Sequence, residues 1–149
     1  MTKTITIALA LLWAGLPAIA QKASEEPGHK AKILVHLTQG PENPTRAALA
    51  FLVARSAIEE GHSVTLFLAG DAVQLIRDEV LDQLAGLGTG KLREHFDVIV
   101  RSGARIYLSG GSSKARGVTE SDIKGKPAEF AGPNVLVRLA LENDRVFTY

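Results

Sequence analysis

Short apolar runs alternate along residues 32–149 with longer stretches of helical periodicity, and this alternation predicts strands and helices in turn. Residues 33–37 (ILVHL) and 63–68 (SVTLFL) are rich in branched side chains, which is typical of strands covered on both faces of a parallel sheet. Between them, residues 43–61 carry apolar side chains at helical spacing, with Asn43 in the capping position. Strand, helix and strand therefore form one βαβ unit with parallel strands.

The second half of the chain continues the alternation through smaller blocks separated by glycine and polar residues. The predicted elements are a helix over 71–84, a flexible glycine-rich surface connection over 86–90, a helix from 92 to the glycine at 103, a strand over 105–109, a short helix over 114–118, a brief strand near Phe130 within the polar stretch 119–131, a helix over 134–142 and a strand over 145–149. Together these elements predict an α/β fold, a three-layer α/β/α sandwich with a mainly parallel sheet of about five strands.

The amino-terminal residues have the pattern of an export signal rather than of the fold. Residues 1–20 combine the early charge of Lys3, an apolar run over 5–16 and a small-x-small cleavage motif at 18–20. The run is shorter than the roughly 20 residues that span a bilayer, although an uncleaved membrane anchor is the alternative. We expect cleavage, no membrane attachment afterwards and a periplasmic or secreted location, with 21–31 as a disordered leader before the 32–149 domain.

Composition excludes several classes of function. Lys3 is the only charged residue in the predicted signal, so the mature chain has a net charge near zero, and aromatic residues make up only 5% of the sequence. Nucleic-acid binding is therefore not indicated, since it needs basic surplus and stacking platforms. The chain has no cysteine, which excludes disulfides and thiol chemistry. None of the four histidines is spaced as a metal-binding pair, and we expect no metal and no cofactor.

Ligands of parallel α/β sheets bind in the loops at the carboxyl ends of the strands, and three segments compete for that place: 38–44, 69–72 and 109–117. The third is the most suggestive, because two adjacent glycines let the backbone N–H groups of a turn point outward and the next helix start adds positive potential. An ordinary serine-capped helix start with solvated basic residues is the alternative. The predicted small-anion site comprises Ser109, Gly110, Gly111, Ser112, Ser113, Lys114, Arg116, Asn43 and His36.

Two of these residues also raise an enzymatic alternative. Ser109 ends a predicted strand, and His36 could lie on a neighbouring one, as a nucleophile and base require. The strained GxSxG turn of the α/β hydrolases is missing, because Tyr107 and Leu108 precede the serine. We therefore name no catalytic residue, and a structural, hydrogen-bonded role for His36 is the first expectation.

Residues 43–73 (NPTRAALAFLVARSAIEEGHSVTLFLAGDAV) resemble the DsrE/DsrF-like family, in which a helix of small and large apolar residues precedes a GHxVxLFLxGDxV segment. RIYLSGGSSKARGV at 105–118 is similar to the family's later strand and turn, and ENDRVFTY at 142–149 to its terminal strand. The resemblance covers most of residues 32–149. It implies homo-oligomers, commonly trimers or hexamers, and the apolar helix after Asn43 is compatible with such assembly or with simple core burial.

Sulfur-relay members of that family carry a persulfide on a cysteine after an "IYxC" strand, and the resemblance places that position on Ser109. A hydroxyl cannot replace the thiolate that persulfide transfer requires. The predicted export also departs from the cytoplasmic relay members. We therefore expect a non-enzymatic, exported, small-anion-binding or assembly protein linked to sulfur or redox metabolism. An enzyme using Ser109 or His36, or a partner subunit of a sulfur-transfer complex, is the alternative.

Overall fold

The computed structural model describes residues 30–149 of the chain. The predicted signal at 1–20 lies outside the described residues, as do 21–29 of the predicted leader. No helix between residues 30 and 149 combines the length and the apolar character needed to cross a bilayer.

The core of the structure is a sheet of five parallel strands, which confirms the predicted α/β class. A separate two-stranded antiparallel hairpin lies outside this sheet. The strands are β1 (Lys32–Leu37), β2 (Ser63–Leu68), β3 (Ala85–Gly86), β4 (Gly90–Lys91), β5 (Arg105–Ser109), β6 (Ala128–Ala131) and β7 (Arg145–Thr148). The helices are α1 (Pro44–Glu59), a 3₁₀ helix (Gly70–Ile76), α2 (Asp78–Gln83), α3 (Leu92–Arg101), α4 (Gly110–Ala115), α5 (Glu120–Ile123) and α6 (Pro133–Glu142). The main sheet has the order β6-β5-β2-β1-β7.

One face of the sheet carries the main core. Alternate residues of β1, β2 and β5 point to this face and pack against α1, α3 and the 3₁₀ helix in one continuous apolar cluster. Helix α1 fits there because alanines with little bulk, such as Ala47 and Ala54, let it approach closely while Phe51 fills the space toward Phe96. The apolar side of α1 is therefore core, so it no longer argues for assembly.

The opposite face is covered more thinly. Leu34, Phe67 and Leu139 form a small second cluster there, and α6 is the helix that packs on it. A row of aromatic rings crosses this face, since His36 lies edge-on 6.0 Å from Phe67 and Tyr107 stacks 6.5 Å beyond it. The predicted sandwich is thus present, and within residues 30–149 its third layer consists of the single helix α6.

Three local predictions differ from the structure. The helix predicted over 71–84 is broken at Arg77, whose backbone is extended (ψ 137°) and whose guanidinium donates to the carbonyls of Arg116 and Gly117. The connection over 86–90 is an ordered hairpin turn, where Gly88 and Gly90 take left-handed conformations. The short helix predicted at 114–118 starts four residues earlier, as α4.

Candidate functional site

Ser109 stands at the junction of β5 and α4, where its side chain caps the helix. Its Oγ accepts a hydrogen bond from the backbone N–H of Ser112 at 3.4 Å. Gly110 and Gly111 follow in helical conformation, as the first two residues of α4, and neither has a positive φ. The predicted glycine turn is therefore wrong: these glycines form the first turn of a six-residue helix.

Two predicted anion ligands are engaged by other parts of the fold. Ser112 Oγ accepts from the N–H of Gly70 at 3.0 Å. Arg116 Nε lies 2.6 Å from Asp71 Oδ1, and its Nη1 donates to the Ser112 carbonyl at 3.4 Å. Because Asp71 neutralises the guanidinium, Arg116 holds α4 to the 3₁₀ helix and leaves little charge for a ligand.

Three other predicted residues meet at one cleft beside α4. Gly110, Ser113 and Lys114 line it together with Gly117, and the cavity measures about 450 Å³. Within residues 30–149 no carboxylate lies within 4.0 Å of the Lys114 ammonium group, whose side chain is exposed. The cleft thus combines an apolar hollow with one uncompensated positive charge.

The far wall of this cleft was not found by sequence analysis. It consists of Val118, Thr119 and Phe130. Phe130 lies on edge strand β6, directly beside Leu108 of β5. The sequence placed a short strand near Phe130 but contained no signal for its partner strand, so its closeness to α4 could not be foreseen.

His36 lies away from the cleft, on the thinly covered face of the sheet. Strand β2 separates it from β5, and at about 4.8 Å per strand the two lie about 10 Å apart. In the sheet register, His36 pairs with Phe67, and Phe67 pairs with Tyr107. The β5 residue in line with His36 is therefore Tyr107 and not Ser109. The suggested Ser109–His36 pair on neighbouring strands is therefore wrong.

The surroundings of His36 favour the neutral ring. Burial lowers the pKa of the half-buried imidazole below its ordinary value of 6.5. Its Nε2 is shielded and finds no hydrogen-bond partner within the described part of the chain. The hydrogen-bonded role expected for this side chain is thus not seen at Nε2.

Asn43 serves the fold rather than the cleft. Its Oδ1 accepts from the N–H of Arg46 at 3.2 Å, so it caps α1 as predicted. The start of the 3₁₀ helix lies between the loop over 38–44 and residues 109–117. Its Ala72 N–H donates to the Thr38 carbonyl at 3.3 Å, and its Gly70 N–H donates to Ser112 Oγ. The two loops line different cavities.

No cluster of three or more metal-ligating side chains occurs between residues 30 and 149. The site consists of the Lys114 ammonium group, the buried hydroxyl of Ser113 and apolar walls, at the carboxyl edge of a parallel sheet.

The five-stranded parallel α/β fold of residues 30–149 is shared by known proteins. The YchN protein of E. coli superimposes with a TM-score of 0.66 at 19% identity, covering 80% of this chain and 99% of that chain. A conserved protein of unknown function from Bacteroides thetaiotaomicron, BT1422, gives a TM-score of 0.52 at 14% identity, covering 80% and 95%. Both likenesses concern the fold.

Sequence comparison is more specific. The model of the DsrE/DsrF-like family matches residues 31–149. An uncharacterized protein of Methanopyrus kandleri, MK0008, is 32% identical over 123 residues, which span 78% of this chain and 93% of that protein. The chain belongs to the DsrE/DsrF-like family, which confirms the resemblance seen in the sequence.

Proposed function

We propose that this chain is a DsrE/DsrF-like protein that binds a small anion beside α4 and carries no persulfide of its own. The observation behind this proposal is that Ser109, at the end of β5, occupies the place where the family resemblance expects a sulfur-carrying cysteine. The whole sequence contains no cysteine that could take over this task. A serine hydroxyl stays protonated at neutral pH and is not a sulfur nucleophile.

Charge favours an anion as the ligand. Lys114 is the uncompensated cation of the cleft, whereas Arg116 is paired with Asp71. A small anion that reaches the rim gains a charge-assisted hydrogen bond from the ammonium group. We propose binding rather than catalysis for the cleft, because it combines one cation with apolar walls.

Titration of the purified protein with sulfite, thiosulfate and phosphate tests this proposal. A hydrogen bond to a charged group contributes about 1.5–3 kcal/mol, so Lys114→Ala should weaken binding by about tenfold or more. Lys91→Ala is the matched control, because Lys91 is also exposed but lies on the distant β4 hairpin. Absence of binding to the unaltered protein, or equal affinities in both variants, contradicts the anion site.

The pattern of residues 1–20 supports export, and we propose a periplasmic or secreted location linked to sulfur or redox metabolism. Fractionation of cells expressing the full chain, followed by mass analysis of the mature amino terminus, tests this location. Recovery of the uncleaved chain in the cytoplasm contradicts it.

We further propose that a second copy of this chain covers α6 and β7. Six large apolar side chains are exposed among the described residues, and four of them lie on these two elements. They are Val137 (60% exposed), Leu141 (83%), Val146 (45%) and Phe147 (41%). The grouping of exposed apolar side chains on two elements supports an interaction site there, and β7 is an edge strand of the sheet.

A further inference from the structure

The cleft beside α4 is open because two of the residues that line it are glycines. Gly110, Ser113 and Lys114 lie at helical spacing on one side of α4, and Gly117, which follows the helix, also lines the cleft. Two of the four are glycines, and the nearest atom to a side chain built on Gly110 is the Ala131 carbonyl oxygen at 3.8 Å. A side chain built on Gly117 would meet Arg77 Nη2 at 3.7 Å, so the open space lies beside Gly110.

The walls of this space are apolar. Val118 is 5% exposed, and Phe130 packs partly buried against the main core. An inorganic anion that binds Lys114 at the rim would lose water contacts on moving inward against these walls, without gaining further hydrogen bonds there. An apolar group gains by entering, because it removes its own surface and that of the walls from water.

The polar groups of the cleft are placed to hold one end of such a molecule. Lys114 supplies the charge at the rim. Ser113, also part of the lining, is 1% exposed, and its hydroxyl finds no hydrogen-bond partner in the described residues. Buried hydroxyls normally have partners. Because the Ser113 hydroxyl has almost no accessible surface, its side chain must turn toward the cleft to donate to a ligand oxygen, and that hydrogen bond would supply a contact that the free protein lacks.

We propose that the cleft selects small organic monoanions with an apolar body, such as aromatic or branched carboxylates and sulfonates. The anionic end lies against Lys114 and Ser113, and the apolar body lies between Val118 and Phe130. The cavity of about 450 Å³ falls in the size range of small-molecule sites, roughly 300–1,000 Å³. This inference rests on the proposed anion site and specifies its ligand class.

Calorimetric titration of the full chain with benzoate, benzyl alcohol and phosphate tests the inference. Benzyl alcohol has the ring of benzoate without a negative charge, and phosphate has negative charge without a ring. The three probes therefore separate the need for an apolar body from the need for an anionic group. We expect benzoate to bind about tenfold more tightly than either comparison probe. We also expect Lys114→Ala and Ser113→Ala each to weaken benzoate binding.

A larger side chain at Gly110 gives a second test, because it fills the cleft without removing a core side chain. Gly110→Leu places an apolar side chain in the cleft and should abolish benzoate binding. Gly111→Leu is its control, because a side chain there meets nothing within 4 Å. Circular dichroism and the Tm of each variant establish that it folds.

The outcomes distinguish the two proposals. Binding of phosphate that depends on Lys114, together with benzoate binding no more tightly than phosphate, overturns the organic ligand class and leaves the anion site standing. The same holds if Gly110→Leu binds benzoate as well as Gly111→Leu does. If none of the anions binds, both proposals fail.

Discussion

Arg116 and Asp71 join two segments that are 45 residues apart, with Arg116 Nε 2.6 Å from Asp71 Oδ1. The pair attaches α4 to the 3₁₀ helix that follows β2, and both side chains are partly exposed to solvent. An exposed pair of this kind contributes only about 0.2–1 kcal/mol to stability. Its larger consequence is chemical. Two basic residues follow the glycines of RIYLSGGSSKARGV, and the pair with Asp71 makes one of them, Arg116, unavailable for ligand binding.

These two basic residues are therefore expected to respond differently to substitution. Arg116→Ala should lower the free energy of unfolding by at most about 1 kcal/mol and leave thiosulfate affinity unchanged. Lys114→Ala should weaken thiosulfate binding and leave the free energy of unfolding unchanged. Urea unfolding and titration of both variants check this, and an affinity loss in Arg116→Ala as large as that in Lys114→Ala contradicts the assignment.

Ser109→Cys should create the thiol that the family resemblance expects at the end of β5. A cysteine has an ordinary pKa of about 8.5, which a helix amino terminus lowers, so the thiolate should form readily at neutral pH. We expect faster alkylation than in Ser56→Cys, an exposed site in the interior of α1. Mass spectrometry after treatment with polysulfide should show one added sulfur on the Ser109→Cys variant, and equal reactivity of the two variants would refute the expectation.

Gly40→Ala should destabilise the domain. A Cβ at this buried position would lie 2.6 Å from the Asp71 carbonyl carbon, and the backbone there cannot give way cheaply. Overpacking of this kind costs about 1–3 kcal/mol. Gly111→Ala is the control, since that helical position is open, and it should stabilise by about 0.4–1 kcal/mol. Equal unfolding midpoints in the two variants would disprove the close approach.

Stability should decline in mild acid, in part through His36. Burial lowers the pKa of the folded-state imidazole below 6.5, so the unfolded chain binds more protons as the pH falls. The free energy of unfolding therefore decreases as the pH falls through 6.5 toward the lower folded-state pKa, and the contribution is fully present above 6.5. Urea midpoints at two pH values on either side of this window should differ less in His36→Gln than in the unaltered protein. An identical difference would show that His36 does not contribute.

Leu141→Glu should reduce the size of the assembly in solution, because it places a charge on the proposed contact surface of α6 and β7. Leu87→Glu is the matched control, since Leu87 is 90% exposed at the distant hairpin turn. Sedimentation of both variants measures the effect. A monomeric unaltered protein, or assembly unaffected by Leu141→Glu, contradicts contact between copies through this face.

The sequence pattern predicted the elements that are long and strongly periodic. Strands β1, β2 and β5 and helices α1, α3 and α6 lie where the pattern placed them, because each has one clear apolar period and a recognisable start or end, such as Asn43 before α1. Short elements were placed less well. Arg77 interrupts a periodic stretch, and its side chain donates hydrogen bonds to carbonyls 39 and 40 residues away. The local sequence pattern does not indicate such distant partners.

The candidate site divides in the same way. The sequence by itself determined the parallel α/β class, the family, the capping role of Asn43 and the absence of a thiol at position 109, because each depends on local side-chain chemistry or spacing. Only the tertiary structure decided which polar groups are free. Asp71 pairs with Arg116, β2 separates His36 from Ser109, and β6 brings Phe130 beside α4. These relationships depend on strand order and on contacts between distant segments, which the spacing of residues along the chain does not specify.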